Sequence, residues 1–452
     1  MAVPHGSGHL AGGFRGPFGR YWLSGFLSDF GNGVRLAAFP LLVTQLTRAP
    51  AAVAAVTAVQ GLPWLLLGTG AGVIVDRVDR RRLMVTVDTT RAAIIAGLAA
   101  AVLIHEAGLV LIYAVAFLVG TGAALRGTAA VACVPRLVEP AGLDQANGRV
   151  IAGQIVGNEL AGPAAGGWLF GMAAALPFAV NAGTLGIAVL LLLTLPGVFA
   201  APPRQREPGT GRARFSSVRH DLGEALGWMR QHPAIRDITL MAGVVAAMDA
   251  VWFAVFVLYV IKVLHQQPGT YGLLLAIGAV GGILAGAGGA ALTRRIGPWH
   301  ALLTAGLVVA ATQAGLGLTG NVIIAAVLLM LSSAAFALFS MTAVTMLQRE
   351  VPDALLGRVN SVFGTVTQGA EALGAIAGGI LAAAAGIRAP MLAGAVPIAV
   401  VTVFTSWRHR AAHRRSRDRL GSGGLDDGGH GADQPPESPD WPGFAGDVDA
   451  GV

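Results

Sequence analysis

The feature that most constrains this chain is a succession of apolar runs, separated by short polar connections. A helix of about 20 apolar residues crosses the ~30 Å hydrocarbon layer of a membrane, and a helix satisfies all of its backbone hydrogen bonds without water. Only 12% of the residues are charged, about half the share typical of soluble proteins. We therefore predict an all-α membrane protein with twelve transmembrane helices, at residues 20–46, 51–75, 83–105, 108–131, 147–170, 176–196, 236–262, 270–292, 299–319, 321–347, 359–385 and 389–407.

Two other interpretations of the composition fail. An outer-membrane barrel would show strands of about ten residues with alternating polarity, which these long runs do not. The net charge of +7 would suggest nucleic-acid binding in a soluble protein, but here the arginines lie in the connections. We expect no nucleic-acid partner, and a single cysteine, Cys133, gives neither a disulfide nor a metal site.

The arginines also predict orientation, because short connections rich in Arg remain in the cytoplasm. If the amino terminus is inside, the outer connections hold only Arg48, Lys262 and Arg388. The remaining basic clusters all fall on the inner side. We expect a multi-pass protein of the inner (plasma) membrane with both termini cytoplasmic.

An internal repeat divides the runs into two halves. Pro140 and Pro352 stand 212 residues apart, as do Glu159 and Glu371, and three pairs of glycines share that spacing. The spacing places the fifth run over the eleventh, as in parallel-repeat transporters. The predicted organisation is a cytoplasmic segment, a six-helix bundle, a linker, a second six-helix bundle and an unfolded cytoplasmic tail, at residues 1–19, 20–196, 197–234, 235–408 and 409–452.

The connection after the second run reads GVIVDRVDRRR, from Gly72 to Arg82. This G-x-x-x-D-R-x-x-R-R pattern closely resembles the loop between helices 2 and 3 of major facilitator superfamily (MFS) transporters. Together with Asp88 and Arg91 it is similar to the efflux subfamily that holds the enterobactin exporter and macrolide efflux proteins. The resemblance implies two pseudo-symmetric six-helix bundles, the MFS fold.

The resemblance also implies that this loop latches the two halves together on the inner side. Asp76 would lie at the amino-terminal end of span 11, where unpaired amides favour an anion, and Arg77 and Arg81 would hold Asp76 and Asp88. The alternative is a solvated basic turn that only sets topology. The latch residues expected are Gly72, Asp76, Arg77, Arg80, Arg81, Asp88 and Arg91.

Span 5 is similar to the antiporter signature of MFS efflux proteins. Small residues at four-residue spacing give a smooth face for close helix contact, and proline bends the helix. Ordinary small-residue packing is the alternative. The residues concerned are Gly153, Gly157, Gly162, Pro163, Gly166 and Gly167.

Charged residues inside the spans are expensive in lipid, so they must face a watery cavity or pair with each other. We expect Arg35 or Arg126 to pair with Glu159 in one state, and Glu159 to be the first choice for proton exchange, followed by Asp29 and Glu371. Fixed structural ion pairs are the alternative. The candidates for proton and substrate coupling are Glu159, Asp29, Glu371, Arg35, Arg126 and Asp249.

The predicted function is proton-coupled export of small amphipathic molecules such as drugs, macrolides or siderophores. Uptake of a solute is a second transport interpretation, and a non-transporting membrane sensor or scaffold is an alternative of another class. The sequence has no P-loop, HExxH motif or Cys/His cluster. We therefore expect no enzyme activity, no cofactor and no metal, with the lipid bilayer, a small-molecule substrate and protons as partners of a monomer.

Overall fold

A computed structural model describes residues 16–67, 78–131, 133–139, 142–195 and 223–422, and its regular structure in these ranges is helical. The fifth span changes from α-helical to π-helical geometry at Ile155–Ala161 and then returns to α-helix. The helices of the first half are α1 (Pro17–Leu46), α2 (Pro50–Leu67), α3 (Arg80–Leu103), α4 (Leu109–Val131), α5 (Leu143–Gln154), α6 (Gly162–Met172) and α7 (Leu176–Leu193).

The second half begins with a short helix that precedes its first span. The seventh span is interrupted at Ala254 and Val255, between α9 and α10. The helices are α8 (223–231), α9 (Pro233–Phe253), α10 (Phe256–Lys262), α11 (Pro268–Ile296), α12 (Pro298–Leu318), α13 (Val322–Glu350), α14 (Asp353–Ala385) and α15 (Ala389–Ser422).

Nine helices in the described ranges are long and apolar enough to cross a membrane. The other three predicted spans are helical as well, but α2 reaches the edge of the described residues at Leu67. The fifth span is divided into pieces of 12, 7 and 11 residues. The predicted all-α membrane fold is confirmed.

Local sequence signals explain where the helices start and stop. The Asp79 carboxylate accepts a hydrogen bond from the Arg82 amide at 2.9 Å and so caps α3. Gly297, with φ of 84°, ends α11 in a conformation that suits glycine. Pro298 follows at the first position of α12, where no amide donor is needed.

Two boundaries differ from the predictions. The tail was predicted to be unfolded from residue 409, but α15 continues to Ser422. Its Ala- and Arg-rich composition favours helix and contains no glycine before Gly421, so the helix propagates beyond the apolar run. Within the predicted linker, residues 223–231 are helical, while 196–222, together with 1–15 and 423–452, lie outside the described residues.

Candidate functional site

Three charged side chains meet in the interior of the first half, where α3 lies against α4. Asp88 accepts a hydrogen bond from Arg91 Nη1 at 2.9 Å and one from Arg126 Nε at 2.6 Å. Asp88 has no exposed surface, and Arg91 and Arg126 are also buried. Such a cluster is stable only while the charges are paired, because a buried ion without its partner is strongly destabilising.

Polar side chains of α1 complete this cluster. Arg91 donates to Ser28 Oγ at 3.4 Å and to Asn32 Oδ1, and Arg126 Nη2 donates to the Ser24 carbonyl at 3.2 Å. The three α1 residues are four apart and therefore share one face of the helix. Ser24 and Ser28 were not among the predicted site residues. Their four-residue spacing within an apolar run nevertheless indicates a polar face of the helix that must avoid lipid.

The cluster changes the assignment of two residues attributed to the latch. Asp88 and Arg91 lie in the interior of the bundle, and Asp88 is already held by two arginines, so the predicted pairing of Arg81 with Asp88 is wrong for this conformation. Arg81 instead donates from Nε to the Leu192 carbonyl at 2.8 Å. That carbonyl lies at the carboxy-terminal end of α7, which attracts cations.

The remaining members of the predicted latch cannot be placed in the same way. Arg80 begins α3. Gly72, Asp76 and Arg77 lie outside the described residues. The latch itself therefore stays a prediction.

Glu159 lies in the π-helical segment and is exposed. It has no ion-pair partner among the described residues, because Arg126 binds Asp88 and Arg35 Nη1 donates to Gln60 Oε1 at 2.7 Å. The predicted pairing of Glu159 with either arginine is absent from this conformation. For Arg35, the reason is its position around the axis of α1. Gly33 of α1 contacts the fifth span, and Arg35, two residues later, projects about 200° away from Gly33 around the helix.

The small residues of the fifth span touch α1 as expected for close packing. A β-carbon added at Gly162 would lie 2.7 Å from Gly33 Cα, and one at Gly166 would lie 3.0 Å from Val34 Cα. The two backbones are therefore in direct contact, which any side chain would disturb. Three further members of the predicted set also lie close to α1: Gly153, Gly157 and Pro163.

The repeat predicted at a spacing of 212 residues is visible in this packing. Gly378, the counterpart of Gly166, meets the Val251 backbone of α9, and an added β-carbon would lie 2.9 Å from Val251 Cα. Span 11 thus packs on span 7 as span 5 packs on span 1. The two halves are pseudo-symmetric.

Two glycines join the halves to each other. A β-carbon at Gly167 would lie 2.9 Å from both backbone N and Cα of Gly272, near the start of α11. Its repeat counterpart, Gly379, approaches the start of α2, where Ala51 Cα would be 3.0 Å away. We call these two contacts, Gly167–Gly272 and Gly379–Ala51, the glycine seams. The end of the protein at which they lie is here called the closed end.

The apolar cores show that closure is one-sided. One core combines both halves and includes Phe39 and Phe170 from the first half with Phe256 and Tyr259 from the second. Toward the opposite end, one core holds only first-half residues, such as Met84, and other cores hold only second-half residues. Among the described residues, the halves therefore share an apolar core at the closed end, and each half has cores of its own toward the opposite end.

Two acids come together in the second half. Asp249 Oδ1 accepts a hydrogen bond from Trp252 Nε1 at 3.0 Å, and Glu371 is close enough to Asp249 to act on it electrostatically. Asp29 in the first half instead lies within electrostatic range of Arg126 and of Arg91. The first half thus pairs its interior charges, whereas the second half places like charges near each other.

A sequence model of the transmembrane secretion effector family matches residues 11–422. The chain belongs to this family of the major facilitator superfamily. The chain is 27% identical over 406 residues to the multidrug efflux pump Tap of Mycolicibacterium fortuitum, covering 86% of the chain and 96% of Tap. It is 30% identical over 381 residues to the enterobactin exporter EntS of Escherichia coli O139:H28, covering 79% of the chain and 83% of EntS.

Solved structures of other transporters share the fold of this chain. A mutant of the nucleoside transporter NupG matches with a TM-score of 0.72 at 13% identity, covering 86% of the chain and 99% of NupG. A bacterial homologue of the human lysosomal transporter Spinster matches with a TM-score of 0.66 at 16% identity, covering 87% and 96%. The protein is a multi-pass membrane transporter with the predicted MFS fold, and not an enzyme.

Proposed function

We propose that this protein is a secondary active exporter, which moves small amphipathic molecules out of the cell in exchange for protons by alternating access. The observation that carries the proposal is the one-sided closure. Alternating access requires the path to be shut at one end at a time, by rocking of two repeats about a central site. The glycine seams and the shared core supply that closure at one end.

The distribution of basic residues gives the orientation. The connections at the closed end carry Arg48, Lys262 and Arg388, whereas the opposite end carries the arginine-rich connections. By the positive-inside rule, the closed end faces outward and both termini are cytoplasmic. The packing between the halves that the described residues show then lies at the outer end, as expected of a state in which an exporter receives its substrate from the cytoplasm.

The relatives support the direction and the kind of substrate. Tap is named a multidrug efflux pump and EntS an enterobactin exporter. Both names describe export of small molecules. Both of the repeats that alternating access requires lie in one chain, which supports a monomer.

The coupling group proposed first is Glu159. It is exposed and has no ionic partner within the described chain, so its charge is free to be neutralised by a proton or by a cationic substrate. The π-helical geometry around it is found often at functional sites. Asp249 with Glu371, and then Asp29, are the next candidates.

The test uses inverted membrane vesicles with an imposed pH gradient. Addition of a transported drug should dissipate the gradient in the wild type. Glu159→Gln should abolish this proton movement, because the amide cannot exchange a proton, while substrate–substrate exchange across the vesicle membrane continues. Glu106→Gln, an exposed acid in the α3–α4 connection, is the matched control and should behave as the wild type.

The outcomes separate the parts of the proposal. Proton-coupled efflux at the wild-type rate in Glu159→Gln would remove Glu159 from the mechanism. Absence of any gradient dissipation by the wild type, across a broad panel of drugs and siderophores, would contradict proton-coupled export itself.

A further inference from the structure

Arg35 is a buried cation that has no carboxylate partner among the described residues. It lies in α1 with 8% of its surface exposed. The charged group that acts on it is Arg91, which has the same sign. Its guanidinium carbon lies 5.8 Å from the centre of the Phe39 ring, an interaction that offsets only part of the loss of hydration. Within the described part of the chain, the positive charge of Arg35 therefore has no counter-ion.

Two hydrogen-bond donors beside this charge also lack acceptors. Arg35 Nη1 donates to Gln60 Oε1, and this bond joins α1 to α2. Arg35 Nε and Gln60 Nε2 are both buried without a partner. Unpaired buried donors are unfavourable, and here two of them belong to side chains that touch each other. One acceptor-rich, negatively charged group would satisfy both donors and compensate the charge.

The depth of the pair in the membrane matches the depth of a central substrate site. Gln60 is nine residues along α2 from Ala51, and a helix rises 1.5 Å per residue, so Gln60 lies about 14 Å inside the glycine seam. That depth is close to the middle of a ~30 Å membrane, where transporters of this architecture hold their substrates. Helix α2 is also one of the helices that contact the opposite half.

We propose that Arg35 and Gln60 form an anion-recognition subsite for transported molecules that carry a carboxylate or phenolate. The guanidinium supplies the charge and a planar set of donors suited to an oxyanion. Gln60 supplies the second donor and holds the guanidinium in place. Phe39 is fully buried beside the guanidinium and helps to hold it through a cation–π contact. This subsite deepens the proposed export function and rests on it for its physiological meaning.

The test compares two dyes that share a xanthene body and differ in charge. Fluorescein carries a carboxylate and a phenolate, and rhodamine 123 is a cation. Equilibrium dialysis with the purified full-length protein gives the dissociation constant of each dye. Arg35→Gln should weaken fluorescein binding about ten- to hundredfold, the range for a charge-assisted hydrogen bond, and change rhodamine binding less than about twofold. Arg48→Gln removes an exposed charge at the closed end and should change neither.

Two further measurements do not depend on folding of the Arg35 variant. Gln60→Leu keeps the arginine and should weaken fluorescein binding several-fold. In the wild type, benzoate should compete with fluorescein while neutral benzamide should not. The subsite is refuted if the wild type does not bind fluorescein or if benzamide competes as well as benzoate. It is also refuted if Arg35→Gln weakens both dyes equally, as a purely structural role would, or weakens neither, as it would if water satisfied these donors.

Transport of the dyes separates this inference from the proposed function. If inverted vesicles couple rhodamine 123 movement to protons but the protein does not bind fluorescein, export stands and the subsite is wrong. If fluorescein binds as described and a broad drug panel shows no proton-coupled movement, the subsite stands as a binding site and the export function is wrong.

Discussion

Replacing Asp88 by Asn should destabilise the first half of the protein strongly. Asp88 is fully buried and neutralises Arg91 and Arg126 at 2.9 and 2.6 Å. Asparagine keeps the shape but removes the charge, and two buried guanidinium groups then face each other without a counter-ion. Removing one partner of a buried ion pair costs about 3–5 kcal/mol. At about 2–4 °C per kcal/mol for a unit the size of this half, we expect Tm to fall by roughly 6–20 °C.

The assay is provided by the chain itself. Cys133 is the only cysteine in the sequence and is fully buried. A dye that fluoresces on reaction with a thiol therefore reports unfolding of the first half without any engineered label. Heating the purified protein with such a dye gives Tm for each variant.

Glu224→Gln is the matched control for this experiment. Glu224 forms an ion pair with Arg358, but the two side chains are 45% and 39% exposed. An exposed pair contributes only about 0–1 kcal/mol, so Tm should fall by less than about 4 °C. Equal losses in the two variants would refute the reasoning that burial determines the cost. A double variant, Asp88→Asn with Arg126→Gln, should recover part of the loss, because it removes one of the uncompensated charges.

Two further predictions concern closure and the carboxy terminus. Gly167→Val should slow transport at least about tenfold, because an added β-carbon would collide with the Gly272 backbone and hold the closed end apart. The control, Gly171→Val, has no atom within 4 Å of its added β-carbon and should transport normally. Equal transport rates for the two variants would contradict the role of the Gly167–Gly272 contact. Deleting residues 423–452 should leave dye efflux from whole cells unchanged, because this Gly-, Asp- and Pro-rich segment offers few apolar side chains for packing; a loss of efflux at normal abundance would show that it takes part.

The helices were predictable because lipid leaves a chain few options. Each apolar run had to become a helix, and the predicted and observed bounds of α4, α7 and α12 differ by three residues or fewer. The composition of the whole tail indicates an unfolded segment, because its later part is rich in Gly, Asp and Pro. Helix propensity acts residue by residue, so the Ala- and Arg-rich start of the tail extends α15 to Ser422. The π-helical segment was not predictable, because Ile155–Ala161 carries no residue that demands it.

The interior pairs were harder, because they depend on how each helix is rotated about its axis. Sequence showed that Arg35, Arg126 and Glu159 had to avoid lipid, but several pairings satisfied that requirement equally well. Only the packed structure decides that Arg126 faces Asp88 and that Arg35 faces Gln60. The small residues were a better guide, because Gly166 and Gly378 share both their spacing and their role.

The glycine seams have a consequence for the speed of the cycle. These contacts are made by main-chain atoms and by the Ala54 methyl group, so no side-chain rotamers are fixed when the closed end forms and none are released when it separates. The loss of side-chain entropy in each conformational change is therefore small. The two glycine seams lie at equivalent positions of the duplicated halves and can separate together.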